Sequence, residues 1–153
     1  MPSIRTKYFG AVEYAEESVF NFPIGLPAFE DETRFVPIEV PASSPLVFLQ
    51  SLATPDLCFL AFPILVVDRD YGLVVSPEDL AVLGLGPDGE PRMGVDALVL
   101  ALLCLHDGFP VTANLMAPIV VNLANRNAVQ AIRHDAVYSH QHPVPGLTQG
   151  EAC

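Results

Sequence analysis

Turn signals interrupt this chain every eight to twelve residues, and that spacing argues against a helical fold before any other feature is considered. Gly10, the Pro23/Gly25/Pro27 group, Pro41 and Pro45, Pro55, Pro63, the Gly84/Gly86/Pro87 group and Gly108 with Pro110 each end the regular structure before them. Between these breaks, strand-forming residues recur at period two, as in Ile4, Thr6 and Tyr8 followed by Val12 and Tyr14. Ser76-Pro77-Glu78-Asp79-Leu80 is the best helix start. Ser76 caps it, Pro77 takes the first helical position, and two acids face the positive end of the dipole. Gly84, Gly86 and Pro87 stop that helix within two or three turns. The expected fold is all-β: a small antiparallel β-barrel or pseudobarrel with one short helix.

Strands are predicted in three runs over residues 3–22, then over 34–40, 46–52, 57–62, 95–105, 112–122 and 128–132. Pro37 marks its strand as an edge or bulged one. Residues 57–62 are apolar enough to be covered on both faces, with Pro63 ending or kinking them. Residues 95–105, rich in Leu and Ala, fit strand or helix by pattern; strand is preferred, joined by the turn at 106–110 into a hairpin with the segment from Thr112. Residues 22–32 lack regular structure yet are expected to be ordered, because Leu26 and Phe29 would otherwise face solvent.

A chain of 153 residues buries roughly two thirds of its unfolded surface, so one domain over 1–145 is expected, with 146–153 a disordered tail. The longest apolar run, 97–105, falls short of the ~18 residues of a spanning helix, and the first residues carry no export signal. A cytoplasmic protein without a membrane role is expected. Cys58 and Cys104 lie in apolar runs and read as small buried hydrophobes, with Cys153 at the end. A net charge of −11, from 18 acids against 7 Lys and Arg, repels a phosphate backbone and attracts basic partners. Direct nucleic-acid binding is therefore not expected.

Three constellations bear on chemistry. His140 and His142, with His134 and Asp135 nearby, are weighed as a metal site against solvated tail histidines, and the solvated reading is preferred. Ser51 and His106 supply a nucleophile and a base without an elbow motif or oxyanion loop, so no enzyme activity is expected. Glu30-Asp31-Glu32 reads as a solvated acidic face or as part of a docking surface for a basic partner.

The segment from Thr112 to Gln130 differs in kind from the rest. It joins a buried-strand core, Ile119-Val120-Val121, to Asn114, Asn122, Asn125, Asn127 and Gln130, and between Val111 and His134 its only charges are Arg126 and Arg133. Its asparagines either close turns through nearby backbone or offer hydrogen bonds to a partner, and sequence does not separate the two. In order and spacing, Phe22-Pro23-Ile24-Gly25-Leu26-Pro27-Ala28-Phe29-Glu30, Leu49-Gln50-Ser51, Ser76-Pro77-Glu78-Asp79-Leu80, Thr112 through Asn122, and Tyr138 with His142-Pro143 resemble the bacterial flagellar assembly factor FliW family over about residues 3–144.

The resemblance implies a β-barrel-like cytoplasmic regulator, with no cofactor and no catalysis, that binds newly made flagellin and CsrA, the RNA-binding repressor of flagellin translation. Binding CsrA relieves repression, and accumulating flagellin captures the factor and frees CsrA again. CsrA is expected to be bound away from its RNA site. The expected partner surface comprises Thr112, Asn114, Leu115, Asn122, Asn125, Arg126 and Gln130 with Glu30, Asp31 and Glu32, on a monomer. Two departures stand out: Ala28 occupies a position where the family usually has glycine, so that turn is open to reshaping, and Cys104-Leu105-His106-Asp107-Gly108 is an unusual hairpin. The alternative function is a small-ligand-binding barrel or an enzyme of unassigned substrate.

Overall fold

The period-two pattern becomes eleven strands and two short α-helices in a computed structural model that describes residues 1–86, 91–105 and 107–144. In chain order these are β1 (Ser3–Thr6), β2 (Gly10–Glu13), β3 (Phe20–Asn21), β4 (Arg34–Glu39), β5 (Val47–Ser51), β6 (Cys58–Pro63), α1 (Ile64–Val67), α2 (Pro77–Leu83), β7 (Ala97–Cys104), β8 (Thr112–Ala113), β9 (Ile119–Asn122), β10 (Ala128–Gln130) and β11 (His142–Pro143). The main sheet runs β10-β9-β7-β6-β5-β4-β3 with antiparallel pairing throughout, and β8 hangs from the end of β7 with β11 beside it. A separate β1–β2 hairpin lies against this sheet, where Phe9 meets Phe48 edge-on at 5.0 Å.

The sheet curls until its ends meet, but they touch at one bridge, Asn21 with Asn127, rather than along a ladder. The fold is therefore all-β as expected, and of the two expected forms it is the pseudobarrel; the ladder does not close. The curl gives the central strands two covered faces. Phe20, Phe22, Phe35, Leu49, Leu100, Ile119 and Val121 pack on one side, and Val99, Ala101, Val120 and Val129 pack on the other with Leu80 and Leu83 of α2. All four residues of β9 are buried, which is why its sequence does not alternate.

Several expectations are corrected. The predicted strand 112–122 is broken into β8 and β9, because the Asn114 side chain accepts from the Met116 and Ala117 N–H groups at 3.0 Å each and turns the chain before Pro118. After Pro63 the chain forms α1, a second helix; burial of Ile64 overrides the weak helix propensity of Ile64-Leu65-Val66-Val67. β6 is fully covered only at Ala61 and Phe62, its first three residues being half-buried. Cys104 is exposed, since β7 overhangs the core at its last residue. Cys58 is half-buried, and burial pushes its thiol up to about 11. Pro37 lies in the part of β4 beyond the short β3, an edge as expected. His106 and the tail from 146 on fall outside the described residues.

Arg133 ties the C-terminal segment down. It is 8% exposed, pairs with Asp135 at 2.7 and 3.0 Å, donates to the Gly72 carbonyl and lies over the Tyr138 ring at 4.9 Å. The Arg133 guanidinium holds the Asp135 carboxyl below its ordinary range. A depressed folded-state value stabilises the fold above the unfolded carboxylate range, and that contribution is lost as pH falls through the folded value. Asp135→Asn should therefore lose stability at neutral pH and show a flatter fall in melting temperature on acidification than the unchanged chain. Parallel curves would remove Asp135 from the acid response.

Ala28 holds a left-handed backbone conformation that favours glycine. Leu26-Pro27-Ala28-Phe29 closes with Phe29 N–H donating to Leu26 O at 2.8 Å, with Ala28 at φ 68, the third position of a type II turn, where glycine is favoured. Ala28→Gly relieves that strain and costs some unfolded-state entropy, so a net stabilisation of about 0.5–1 kcal/mol is expected by urea unfolding. A destabilised variant would show that the turn carries no strain.

Candidate functional site

The asparagines of the distinctive segment bind the molecule to itself. Asn122 is 4% exposed; its Nδ2 donates to the Leu83 carbonyl at 2.8 Å and its Oδ1 accepts from Ala124 N–H at 2.9 Å. Asn125 donates to the same carbonyl at 3.2 Å and accepts from Asn127 N–H, while Asn127 reaches Val82 O at 3.5 Å. These amides cap the C-terminus of α2, where unsatisfied carbonyls need donors. The N-terminus is capped as the sequence predicts, with Asp79 N–H donating to Ser76 Oγ at 3.1 Å. Gly84, at φ 77, closes the other end in a Schellman arrangement, with Leu85 N–H on Leu80 O and Gly84 N–H on Ala81 O.

The remaining expected partner residues do not form one surface. Leu115 is fully buried, with its carbonyl taken by the Tyr71 hydroxyl at 2.8 Å, so its place in a contact surface is corrected: no partner reaches it. Thr112 is half-buried beside Phe109 and Pro143. Arg126, at φ 65, lines a separate pocket with Phe20, Glu39 and Leu98. Glu32 accepts from the Ser51 hydroxyl and from Thr54 Oγ1 at 2.6 Å, anchoring the 22–32 loop to the β5–β6 turn. Glu30 and Asp31 are both exposed and have no ion pair among the described residues. Ser51 is wholly buried, and its Oγ also accepts from Ala53 and Thr54 N–H, which makes it a turn-closing group.

Gln130 and Glu30 do come together. They line a groove of about 380 Å³ with Ile24, Gly25, Leu26, Pro27, Ser76, Asp79, Ile132 and His134. Gly25 holds its loop wall: at φ 68 it lies so close to Glu30 that an added Cβ would sit 2.3 Å from the Glu30 carbonyl oxygen. Ile24 and Ile132 are 57% and 44% exposed, an apolar pair left in solvent. Burial raises the Asp79 carboxyl above its ordinary range. Sequence reading did not place Ile24, Asp79, Ile132 or His134 in a partner surface, since only the fold brings the 22–32 loop beside them. Among the described residues no group of three or more His, Cys, Asp and Glu gathers to hold a metal ion.

Removing the Asn122 amide takes the shorter of two donors from the Leu83 carbonyl and the acceptor from the Ala124 N–H, at a cost of about 1–3 kcal/mol. Asn122→Ala should therefore lower the unfolding free energy by that amount, with exposed Asn125→Ala costing less. Unchanged stability in Asn122→Ala, together with lost partner affinity, would return this side chain to the partner surface.

The family model described as FliW protein matches residues 3–144. The chain is 36% identical to the flagellar assembly factor FliW of Bacillus licheniformis, over 98% of this chain and 99% of that one. With the flagellar assembly factor FliW of Bacillus subtilis it shares 32% identity over 98% and 99%. A crystal structure of the flagellar assembly factor FliW superposes with a TM-score of 0.81 at 30% identity, covering 94% of this chain and 96% of that one. With its sequence matched over nearly the whole length of each relative and its fold superposing over 94% of the chain, the chain belongs to the FliW family of flagellar assembly factors.

Proposed function

We propose that this chain is a cytoplasmic, non-enzymatic regulator of flagellar assembly that binds flagellin and CsrA. In this reading CsrA bound to it no longer represses flagellin translation, and flagellin that accumulates takes the protein up and releases CsrA. Membership of the FliW family along nearly the whole chain carries the proposal. Its geometry is compatible with a binding protein: side chains fill the curl, and Ser51 is engaged in a turn. Among the described residues no helix is long and apolar enough to cross a membrane.

The distribution of charge supports one mode of CsrA binding. An RNA mimic needs a dense anionic strip, whereas here the densest acidic run, Glu30 to Glu32, keeps only two free carboxylates once Ser51 and Thr54 engage Glu32. The net charge of −11 then steers a basic partner and repels RNA from the complex, and CsrA is bound away from its RNA site. Mixing purified protein with CsrA, and separately with flagellin, should give complexes. Raising salt from ~50 to ~200 mM should slow association with CsrA several-fold and change dissociation little. Affinity should fall far less than the ~10³–10⁵-fold expected of many phosphate-like contacts. Simple one-site competition with RNA and an RNA-like salt slope would overturn the mechanism, and no complex with either protein would overturn the function.

A further inference from the structure

The two ends of the sheet meet at one point and then part. Asn21 runs parallel to Asn127 and donates its N–H to the Arg126 carbonyl at 2.9 Å. In a parallel ladder the next donor on the same side is two residues on, and that residue is Pro23, which has no N–H. The chain leaves the seam there as the 22–32 loop, while the extension of β10 runs on. Ala131 and Arg133 direct their N–H groups at the Pro118 and Met116 carbonyls, each at 2.8 Å, so Gln130 and Ile132, by alternation, direct theirs to the opposite, open side. The Ile132 backbone has no hydrogen-bond partner among the described residues.

This open edge faces the groove between Ile24 and Ile132. Its apolar walls are Ile24, Leu26, Pro27 and Ile132, its carboxylates are Glu30 and Asp79, and its basic side chain is His134, with no Lys or Arg in the lining. Asp79 has no ion pair among the described residues, and the cost of its partial desolvation would be offset by an incoming ammonium or guanidinium. We propose that the Gln130–Ile132 edge is a β-augmentation site for an extended segment of a partner protein that alternates apolar and basic side chains. The segment takes the place in the sheet that Pro23 denies to β3, pairing its backbone with Gln130 and Ile132. Its apolar side chains lie against Ile24, Leu26 and Ile132, and its cations reach Glu30 and Asp79. The proposal rests on the reading of the chain as a protein-binding regulator and names where and how one partner segment docks.

The probe is a capped nonapeptide alternating valine and lysine, with two controls: a valine–glutamate counterpart and a valine–lysine version N-methylated at alternate residues. Added to the full chain, the valine–lysine peptide should slow amide hydrogen exchange at Gln130 and Ile132. Ile132→Pro removes the outward N–H without removing a hydrogen bond of the fold, and should weaken the peptide on the order of 10-fold. Both controls should bind more weakly to the unchanged chain, a comparison that stands even if the proline variant fails to fold. Equal binding of the N-methylated or acidic control, or protection elsewhere on the surface, overturns the proposal. If the unchanged chain binds the peptide but neither flagellin nor CsrA, the partner reading falls and the edge stands; if it binds those proteins but not the peptide, the edge falls and the reading stands.

Discussion

The Asn122 amide on the Leu83 carbonyl is the contact on which most of this molecule depends. Helix α2 has seven residues, too few to persist without tertiary support, and Leu80 and Leu83 stay in the core only while it holds. The residues that cap it also end β9, form the following turn and lead into β10, so one group of asparagines ties the helix, the hairpin and the seam to Asn21 together. Gly84 shows how close the fit is: an added Cβ would lie 2.9 Å from Asn125 Nδ2. Amides suit this place because they satisfy buried carbonyls without bringing a charge that burial would penalise.

With the hairpin held from behind by α2, the outer edge of β10 is presented rigidly. The 22–32 loop is equally fixed, by the tight approach of Gly25 to Glu30, by the type II turn through Ala28, by Glu32 on Ser51 and Thr54, and by Phe29 against Phe59 at 5.7 Å. The groove thus lies between two preformed walls, and a docking segment would not have to order either of them. Edge strands left open in this way invite pairing; Pro23 on one side and the acids on the other limit what can pair there.

The legible parts of the fold were those set by local chemistry. Ser76, Pro77 and Gly84 mark the ends of α2 within one residue, because cap and left-handed positions depend on few neighbours. The choice of strand for the Leu- and Ala-rich segment is met by β7, and its turn into Thr112 by the pairing of Cys104 with Thr112. The errors came where distant contacts decide: the exposure of Cys104 depends on where the core stops under β7, and α1 forms because Ile64 finds a buried site. Glu32 looked like its two neighbours until the β5–β6 turn was placed beside it.

The sequence by itself determined the all-β class, the one well-capped helix and, through its spaced motifs, the family, since periodicity and caps are properties of a few adjacent residues. Whether the asparagines face inward or outward was left open in the chain and decided by the position of α2, 39 residues away from Asn122. Tertiary structure alone also decided that the sheet curls until Asn21 meets Asn127 and then opens, since a seam between strands more than a hundred residues apart has no local signature. The groove exists for the same reason: Ile24 and Ile132 become neighbours only when the sheet has brought its own two ends together.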